Sequence, residues 1–476
     1  MADAPKVIPI QPASDDSSGL FSLYAAHQKI YPRSVTGLFA KLRWAAVWFT
    51  QLIYYGLPWL TWNDRQAVLF DLQARKFYLF GVILWPQDFI YLAGLLVVAA
   101  LSLFFFTAVA GRLWCGYACP QTVYTEMFMW IERKVEGDRA ARMKLDAAPM
   151  SATKLRIKST KHLLWAALAL LTGFTFIGYF APIRELAGQV LTLTLGPWQW
   201  FWMLFYAFAT WGFGGFMREQ VCKYMCPYAR FQSAMFDKDT MIVTYDTARG
   251  EPRGSRSKKA DPATLGLGSC VDCNLCVHVC PTGIDIRNGL QYECIGCAAC
   301  VDVCDTVMDR MGYPRGLVRY ATQHGVEAGL DRRQMLRHVL RPRTLVYGTL
   351  LLGLTVALFG SLALRNPLKV DVIRDRNALA RIVDDGYVEN SYRVHLMNAS
   401  ERPLTLKLSV QGIDGIRIGS PQAYDVAAAS NRAVPVNVQV PPGVGRPGSN
   451  PITFSIVSDA DASLAREEKT TFIVPR

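Results

Sequence analysis

Apolar residues gather in five blocks of this chain, at about 44–62, 89–110, 163–182, 198–217 and 344–364. Each approaches the ~20 residues a helix needs to cross a bilayer. Gln51 and Pro58 interrupt the first block. Residues 77–86 are also apolar but too few to cross, so they are expected to lie at the interface. Beyond Leu364 the pattern changes from blocks to alternation, as in Tyr392-Arg-Val-His-Leu-Met397, Leu404-Thr-Leu-Lys-Leu-Ser-Val410 and Val434-Pro-Val-Asn-Val-Gln-Val440. Gly, Pro and Asn clusters separate these runs. Short period-two strands at this spacing predict an all-β immunoglobulin-like sandwich, held without a cysteine pair.

Charge adds orientation. The chain has a net charge of +13 and is 51% hydrophobic. A basic soluble nucleic-acid binder would not carry such apolar blocks, so no nucleic-acid partner is expected, and the lipid bilayer is. Nine Lys and Arg residues lie between Arg133 and Lys161, whereas the connection between the third and fourth blocks holds only Arg184. Lys29, Arg33, Lys41 and Arg43 precede the first block. The positive-inside rule then puts the N-terminus and the 131–161 connection in the cytoplasm. Five spans leave the segment before Thr344 inside and everything after Leu364 outside; an even count would reverse the last assignment. Residues 1–20 are polar and hold no apolar core of signal-peptide length. Arg253, Arg256, Lys258 and Lys259 stand in a Gly/Ser/Pro-containing linker and suit anionic headgroups.

Eight of the twelve cysteines fall between residues 270 and 304, as Cys270-x2-Cys273-x2-Cys276-x3-Cys280-Pro and Cys294-x2-Cys297-x2-Cys300-x3-Cys304. This is the spacing of bacterial two-cluster ferredoxins. Three cysteines on a tight loop reach one cubane, and the fourth, too far along, ligates the other. One [4Fe–4S] cluster is therefore expected on Cys270, Cys273, Cys276 and Cys304, the second on Cys280, Cys294, Cys297 and Cys300. Asp305, not proline, follows the last cysteine. Paired zinc sites share the ligand type, but they join two C-x2-C knuckles, not this triple run.

The remaining thiols form a repeat, Cys115-Gly-Tyr117-Ala-Cys119-Pro120 and Cys222-Lys-Tyr224-Met-Cys226-Pro227, each just past an inward-running block. On a continuous helix the i,i+4 pair would share one face and meet one ion. Soft thiolates select Cu(I), zinc or iron–sulfur centres. Whether Cys115, Cys119, Cys222 and Cys226 make one four-sulfur site or two dithiol sites, or even two disulfides, is open at this level. Tyr117, Tyr124, Tyr224 and Tyr228 are expected to anchor at the interface, and Glu126, Glu132 and Glu136 to form a solvated face.

Paired CxxxCP motifs, a two-cluster ferredoxin insert, a further span and an external sandwich together resemble the FixG/RdxA/CcoG family of cytochrome c oxidase accessory proteins, membrane-bound polyferredoxins. The resemblance extends over nearly the whole chain. It includes Trp114-Cys-Gly-Tyr-Ala-Cys-Pro-Gln121, Cys304-Asp-Thr-Val-Met-Asp-Arg-Met-Gly-Tyr-Pro314, Val370-Asp-Val-Ile-Arg-Asp-Arg376 and Asn390-Ser-Tyr-Arg-Val394. Asp305 fits this family's pattern. The resemblance implies a cupric reductase of the bacterial inner membrane, making Cu(I) for assembly of a cbb3-type oxidase. Copper would sit at the CxxxCP cysteines. The implied partners are a cytoplasmic electron donor, a copper chaperone or transporter, and oxidase assembly factors or subunits. Spacing alone delivers only a membrane electron carrier, for which a quinol-linked ferredoxin or an assembly scaffold are the rivals.

The expected architecture is thus a mainly α-helical polytopic membrane protein with an inserted bacterial-type 2[4Fe–4S] ferredoxin domain and a C-terminal sandwich. Its parts are a cytoplasmic segment (1–43), a four-helix membrane domain (44–230), a cytoplasmic linker and ferredoxin domain (231–343), a fifth span (344–364) and a periplasmic sandwich (365–476).

Overall fold

The computed structural model describes residues 29–262, 264–375 and 380–475. The polar stretch at residues 1–20 and the last residue of the Val370–Arg376 motif lie outside them. Among the described residues, three helices are long and apolar enough to cross a membrane: Pro86–Ala110, Ala152–Ile177 and Pro342–Ala363. The other two blocks are helical with different limits. Leu38–Gly56 starts six residues before the expected span and gives way to a short 3-10 turn at Pro58, and Thr61–Trp62 is already a strand. Pro197–Thr210 is α-helical and continues as a π-helix over Trp211–Met217. The glycines there serve packing: a Cβ on Gly215 would lie 2.9 Å from the Trp165 ring.

The helices run antiparallel. A Cβ on Gly94 would meet Leu358, and one on Gly348 would meet Phe105, which fixes the first and last long helices head to tail. Arg341 donates to the Ala108 carbonyl at one end (2.8 Å) and Arg365 to the Ile83 carbonyl at the other (2.9 Å). The sandwich sits at the Ile83 end, where Trp85 packs on Met397 and Ala399 and Lys369 pairs with Asp88. The cysteine-rich segment sits at the Ala108 end.

The apolar run at residues 77–86 forms strands, not a helix: Lys76–Leu79 and Val82–Leu84 join Val68–Asp71 in a three-stranded antiparallel sheet. The β-branched and aromatic content of this run favours strands. Glu126, Glu132 and Glu136 are not a solvated face either. They are buried on the Pro120–Glu136 helix. Glu132, 1% exposed, meets Arg142 and Arg218 at 3.0 Å each and Lys161 at 3.6 Å. Glu136 takes Lys161 at 2.8 Å and Lys158 at 2.9 Å. A buried carboxylate persists only when so paired.

The C-terminal part is a two-sheet sandwich. Val388–Asn398 pairs with Asn431–Val440 and Leu368–Arg374, while Leu404–Gln411 pairs with Ala423–Val426 and Gly448–Ser458, which in turn pairs with Ala465–Val474. Alternation places Leu404, Leu406 and Leu408 inside with Val436, Val438, Phe454 and Phe472. Buried Asn390 is satisfied by donating to the Ile473 carbonyl (2.8 Å) and accepting from its amide (3.0 Å).

Candidate functional site

The two halves of the cysteine-rich segment follow one backbone template. Asp272 (φ 51°) and Asn274 (φ 55°) flank Cys273, and Gly296 (φ 67°) and Ala298 (φ 57°) flank Cys297. Left-handed residues at matching places turn successive amides toward a common centre, as in anion-binding nests. Each loop then enters a helix: Leu275–His278 carries Cys276, and Ala299–Met311 carries Cys300 and Cys304. One cavity is lined by Cys270, Cys273, Cys276 and Cys304, with Tyr245, Val307 and Leu317 among its walls. Another is lined by Cys280, Cys294, Cys297 and Cys300, with Cys276 at its edge and Val243 and Ile286 as walls. Three thiols of each loop thus meet the fourth of the other. Asp305 continues the Ala299–Met311 helix where proline would break it, and its carboxylate accepts the Gly316 amide at 2.9 Å.

These donors suit an iron–sulfur cubane. All the described cysteines are free, and neither cavity has a carboxylate or an imidazole in its lining. Burial, with a contribution from neighbouring sulfurs at each site, pushes the Cys276 thiol up to about 11 and those of Cys294 and Cys304 up to about 12. Cys300 is pushed well above the ordinary thiol range by burial and by Cys297, Cys294 and Cys280. The Val277, Gly296 and Val318 amides donate to the sulfurs of Cys276, Cys294 and Cys304 and pull the other way. Protonated at neutral pH, such thiols give up their protons to solvent when a cationic centre binds in their place.

The CxxxCP pairs do not lie on continuous helices. Cys115 is on the short helix Leu113–Tyr117, whereas Cys119 is extended (φ −61°, ψ 128°) and precedes the Pro120–Glu136 helix. Cys222 is in the π-turn Val221–Met225, and Cys226 (φ −80°, ψ 108°) precedes Pro227–Met235. The chain breaks between the thiols because proline favours the first position of a new helix. The breaks bring all four sulfurs together. Burial, joined by the charges of the neighbouring sulfurs, raises Cys115 to about 11 and Cys222 to about 12, Cys119 and Cys226 acting on both. Cys119 is also raised by burial, against the pull of the Gln121 and Thr122 amides. Cys115 donates to Gln232 Oε1 (3.3 Å), whose amide donates to Thr107 (3.3 Å).

This four-thiol site abuts the second cavity. Cys115, Cys222, Cys297 and Cys300 share one apolar cluster with Ile295 and Ala299. A Cβ on Gly116 would lie 2.9 Å from the carbonyl oxygens of Ile295 and Gly296 and 3.0 Å from Cys297 Cα. Gly116→Val should therefore prise the two sites apart; retained iron with electron transfer between them slowed at least about tenfold, read by rapid-mixing absorbance, is the expected result.

Residues that the sequence did not single out hold the parts in register. Asp302 accepts the Phe39 and Ala40 amides (3.1 and 2.7 Å), which seats the Leu38–Gly56 helix on the Ala299–Met311 helix. Arg43, buried on that first helix, stands beside Cys297 and lines the gap between Cys297 and Cys222 with Glu126. Tyr320 donates to the Gly296 carbonyl, and Tyr117 stands 3.5 Å from its hydroxyl, so Tyr117 braces the site and is not an interfacial anchor. Arg256 spends its guanidinium on the carbonyls of Gly254, Gly268 and Cys270 and stacks on Tyr313, not on headgroups. No local pattern signals these roles, because every partner is distant in sequence or is a backbone atom.

Comparison with known proteins agrees with this geometry. A family model described as a 4Fe–4S dicluster domain matches residues 217–323, and one described as a 4Fe–4S binding domain matches residues 92–136. The Ig-like fold at the C-terminus of FixG matches residues 358–475. Nitrogen fixation protein FixG of Rhizobium meliloti is 41% identical over 94% of this chain and 92% of its own. Protein RdxA of Cereibacter sphaeroides is 41% identical over 91% of this chain and 93% of its own, and protein RdxB of the same organism 42% over 90% and 92%. With this identity along nearly the full length of each relative, and with 4Fe–4S domains and the FixG C-terminal fold in one chain, the protein belongs to the FixG/RdxA family.

Proposed function

We propose that this iron–sulfur protein of the membrane carries single electrons from a cytoplasmic donor to Cu(II), and releases Cu(I) for assembly of a cbb3-type oxidase. Cys270, Cys273, Cys276 and Cys304 would hold one [4Fe–4S] cluster, and Cys280, Cys294, Cys297 and Cys300 the other. The clusters supply one-electron storage; the chain supplies their spacing, dry walls and amide donors. Reduced clusters held by these cysteines would supply one electron to each Cu(II), so two clusters would account for two copper ions. Cys115, Cys119, Cys222 and Cys226 receive the copper, losing thiol protons as soft sulfur stabilises Cu(I). The lysines and arginines between Arg133 and Lys161 favour the cytoplasm for the ferredoxin end and the periplasm for the sandwich. A copper chaperone or transporter and oxidase assembly factors would take the product.

One observation carries the reading: the four-thiol site touches the second ferredoxin cavity through Gly116. The test is anaerobic mixing of reduced full-length protein with Cu(II) and a Cu(I)-specific chromophoric chelator. Cu(I) formed in step with loss of cluster reduction supports the proposal; reoxidation by quinone alone, with copper inert, would replace it by the quinol-linked alternative. The family match over residues 92–136 favours a second reading, since that segment holds only Cys115 and Cys119. Joined by Cys222 and Cys226, they would hold a third cubane, and iron would rise from about eight to about twelve atoms per chain.

Arg43 offers a further check. Its fixed positive charge beside Cys297 favours the more negative, reduced cluster, so Arg43→Met should lower that cluster's midpoint potential in an EPR-monitored redox titration. An unchanged potential would remove Arg43 from the electron path.

A further inference from the structure

Outside the sulfur sites, three ligand-bearing side chains from separate segments converge at the ferredoxin end. Asp239 lies in the turn at residues 237–240, His324 on the helix Gln323–Glu327 and His338 on the helix Arg332–Val339. One ligand atom from each lies within 4.8 Å of the others. Asp239 Oδ1 is 3.0 Å from His324 Nδ1, and the two imidazole rings are 5.2 Å apart, edge to face. Metal bonds of about 2.0–2.2 Å to nitrogen and oxygen put neighbouring ligand atoms roughly 3–4 Å apart, so small side-chain adjustments close the set.

The scaffold of this cluster stands without an ion. The His324 amide donates to the Lys238 carbonyl (2.9 Å), Thr322 caps the His324 helix, and Thr240 accepts from the Asp237 amide (3.1 Å). Arg341 is held by Asp237 at 2.6 Å and stays 3.9 Å from Asp239 Oδ2, while Asp239 Oδ1 meets His324 Nδ1, a contact that a cation held by both atoms would replace. His338 is exposed, so solvent and an incoming ion reach the cluster. The same turn leans on the last turn of the Phe89–Ala110 helix, just ahead of Cys115: Thr240 donates to the Ala108 carbonyl (3.3 Å) and the Met241 amide to Val109 (3.1 Å).

We infer that Asp239, His324 and His338 form a binding site for Cu(II). Two imidazoles and a carboxylate suit a borderline divalent ion, and among first-row divalent metals copper binds such donors most tightly. The thiols ahead suit the reduced ion instead. The chain thereby separates a nitrogen–oxygen seat for Cu(II) from a sulfur seat for Cu(I). Binding at this site is independent of copper reduction; only its role as the substrate's seat rests on the function proposed above.

The test adds one equivalent of copper(II) chloride to oxidised full-length protein carrying Cys115→Ser and Cys119→Ser. Oxidised [4Fe–4S] clusters are EPR-silent, so the spectrum reports copper alone. The expected result is an axial Cu(II) signal split by two nitrogens. His324→Asn with His338→Asn should erase the nitrogen splitting and weaken affinity at least tenfold, while Asp239→Asn should weaken affinity and keep the splitting. Unchanged iron content reports an intact fold. The same spectrum and affinity with both histidines replaced would overturn the site. Two-nitrogen binding in a wild-type protein that never reduces copper would keep the site and remove only its role as substrate seat.

Discussion

Replacing Cys115 and Cys119 together by serine is expected to slow Cu(II) reduction by more than about 100-fold, because a hard hydroxyl cannot replace thiolate as a ligand for Cu(I). The change is nearly isosteric. Both residues lie outside the two ferredoxin cavities, so iron content and the visible iron–sulfur absorbance should stay at wild-type values. That combination separates loss of the copper end from collapse of the wire. Cys297→Ser should do the reverse, disturbing the clusters while all four CxxxCP thiols remain. Reduction within about twofold of wild type in the Cys115/Cys119 variant would take these thiols off the path.

Glu132→Gln should be the most damaging single change to stability, at about 3–5 kcal/mol, because it leaves buried cations without their counter-charge. Arg142 and Lys161 are themselves buried, at 1% and 4% exposure. Burial alone would raise the Glu132 carboxyl, but Arg218, Arg142 and Lys161 outweigh it and hold it below the ordinary carboxylate range. The sign follows. A carboxyl depressed by folding stabilises the fold above its unfolded pKa, and that contribution fades as pH falls through the folded one. Thermal unfolding in detergent should therefore show a lowered midpoint at pH 7 for Glu132→Gln and a gap to wild type that narrows in acid. A midpoint within about 1 °C of wild type would show that the cations find other partners.

The parts legible in the sequence are those set by short-range pattern. The two quartets of ferredoxin thiols follow from spacing, and the cavities gather those same residues. The sandwich follows from period two, since Leu404, Leu406 and Leu408 must share a face. What depends on distant partners was hidden. Glu132 pairs with Arg218 across 86 positions, so no window around residue 132 tells a buried network from a solvated stripe. The CxxxCP pairs left the backbone open for another reason: i,i+4 spacing allows one helix, yet each proline starts a new helix and leaves Cys119 and Cys226 extended. Proline's preference for a helix's first position was the available signal. The sheet at residues 68–84 was masked by its apolarity, which an interfacial segment shares.

The most direct measurement is low-temperature EPR with metal analysis on anaerobically purified, dithionite-reduced protein, titrated with Cu(II). The account predicts about eight irons per chain; about twelve would put a cubane on the four outlying thiols and give them to the second reading. It predicts reduced-cluster signals that vanish in proportion to the copper added, with copper recovered as EPR-silent Cu(I). Zinc in place of iron, or cluster signals indifferent to copper, would contradict it.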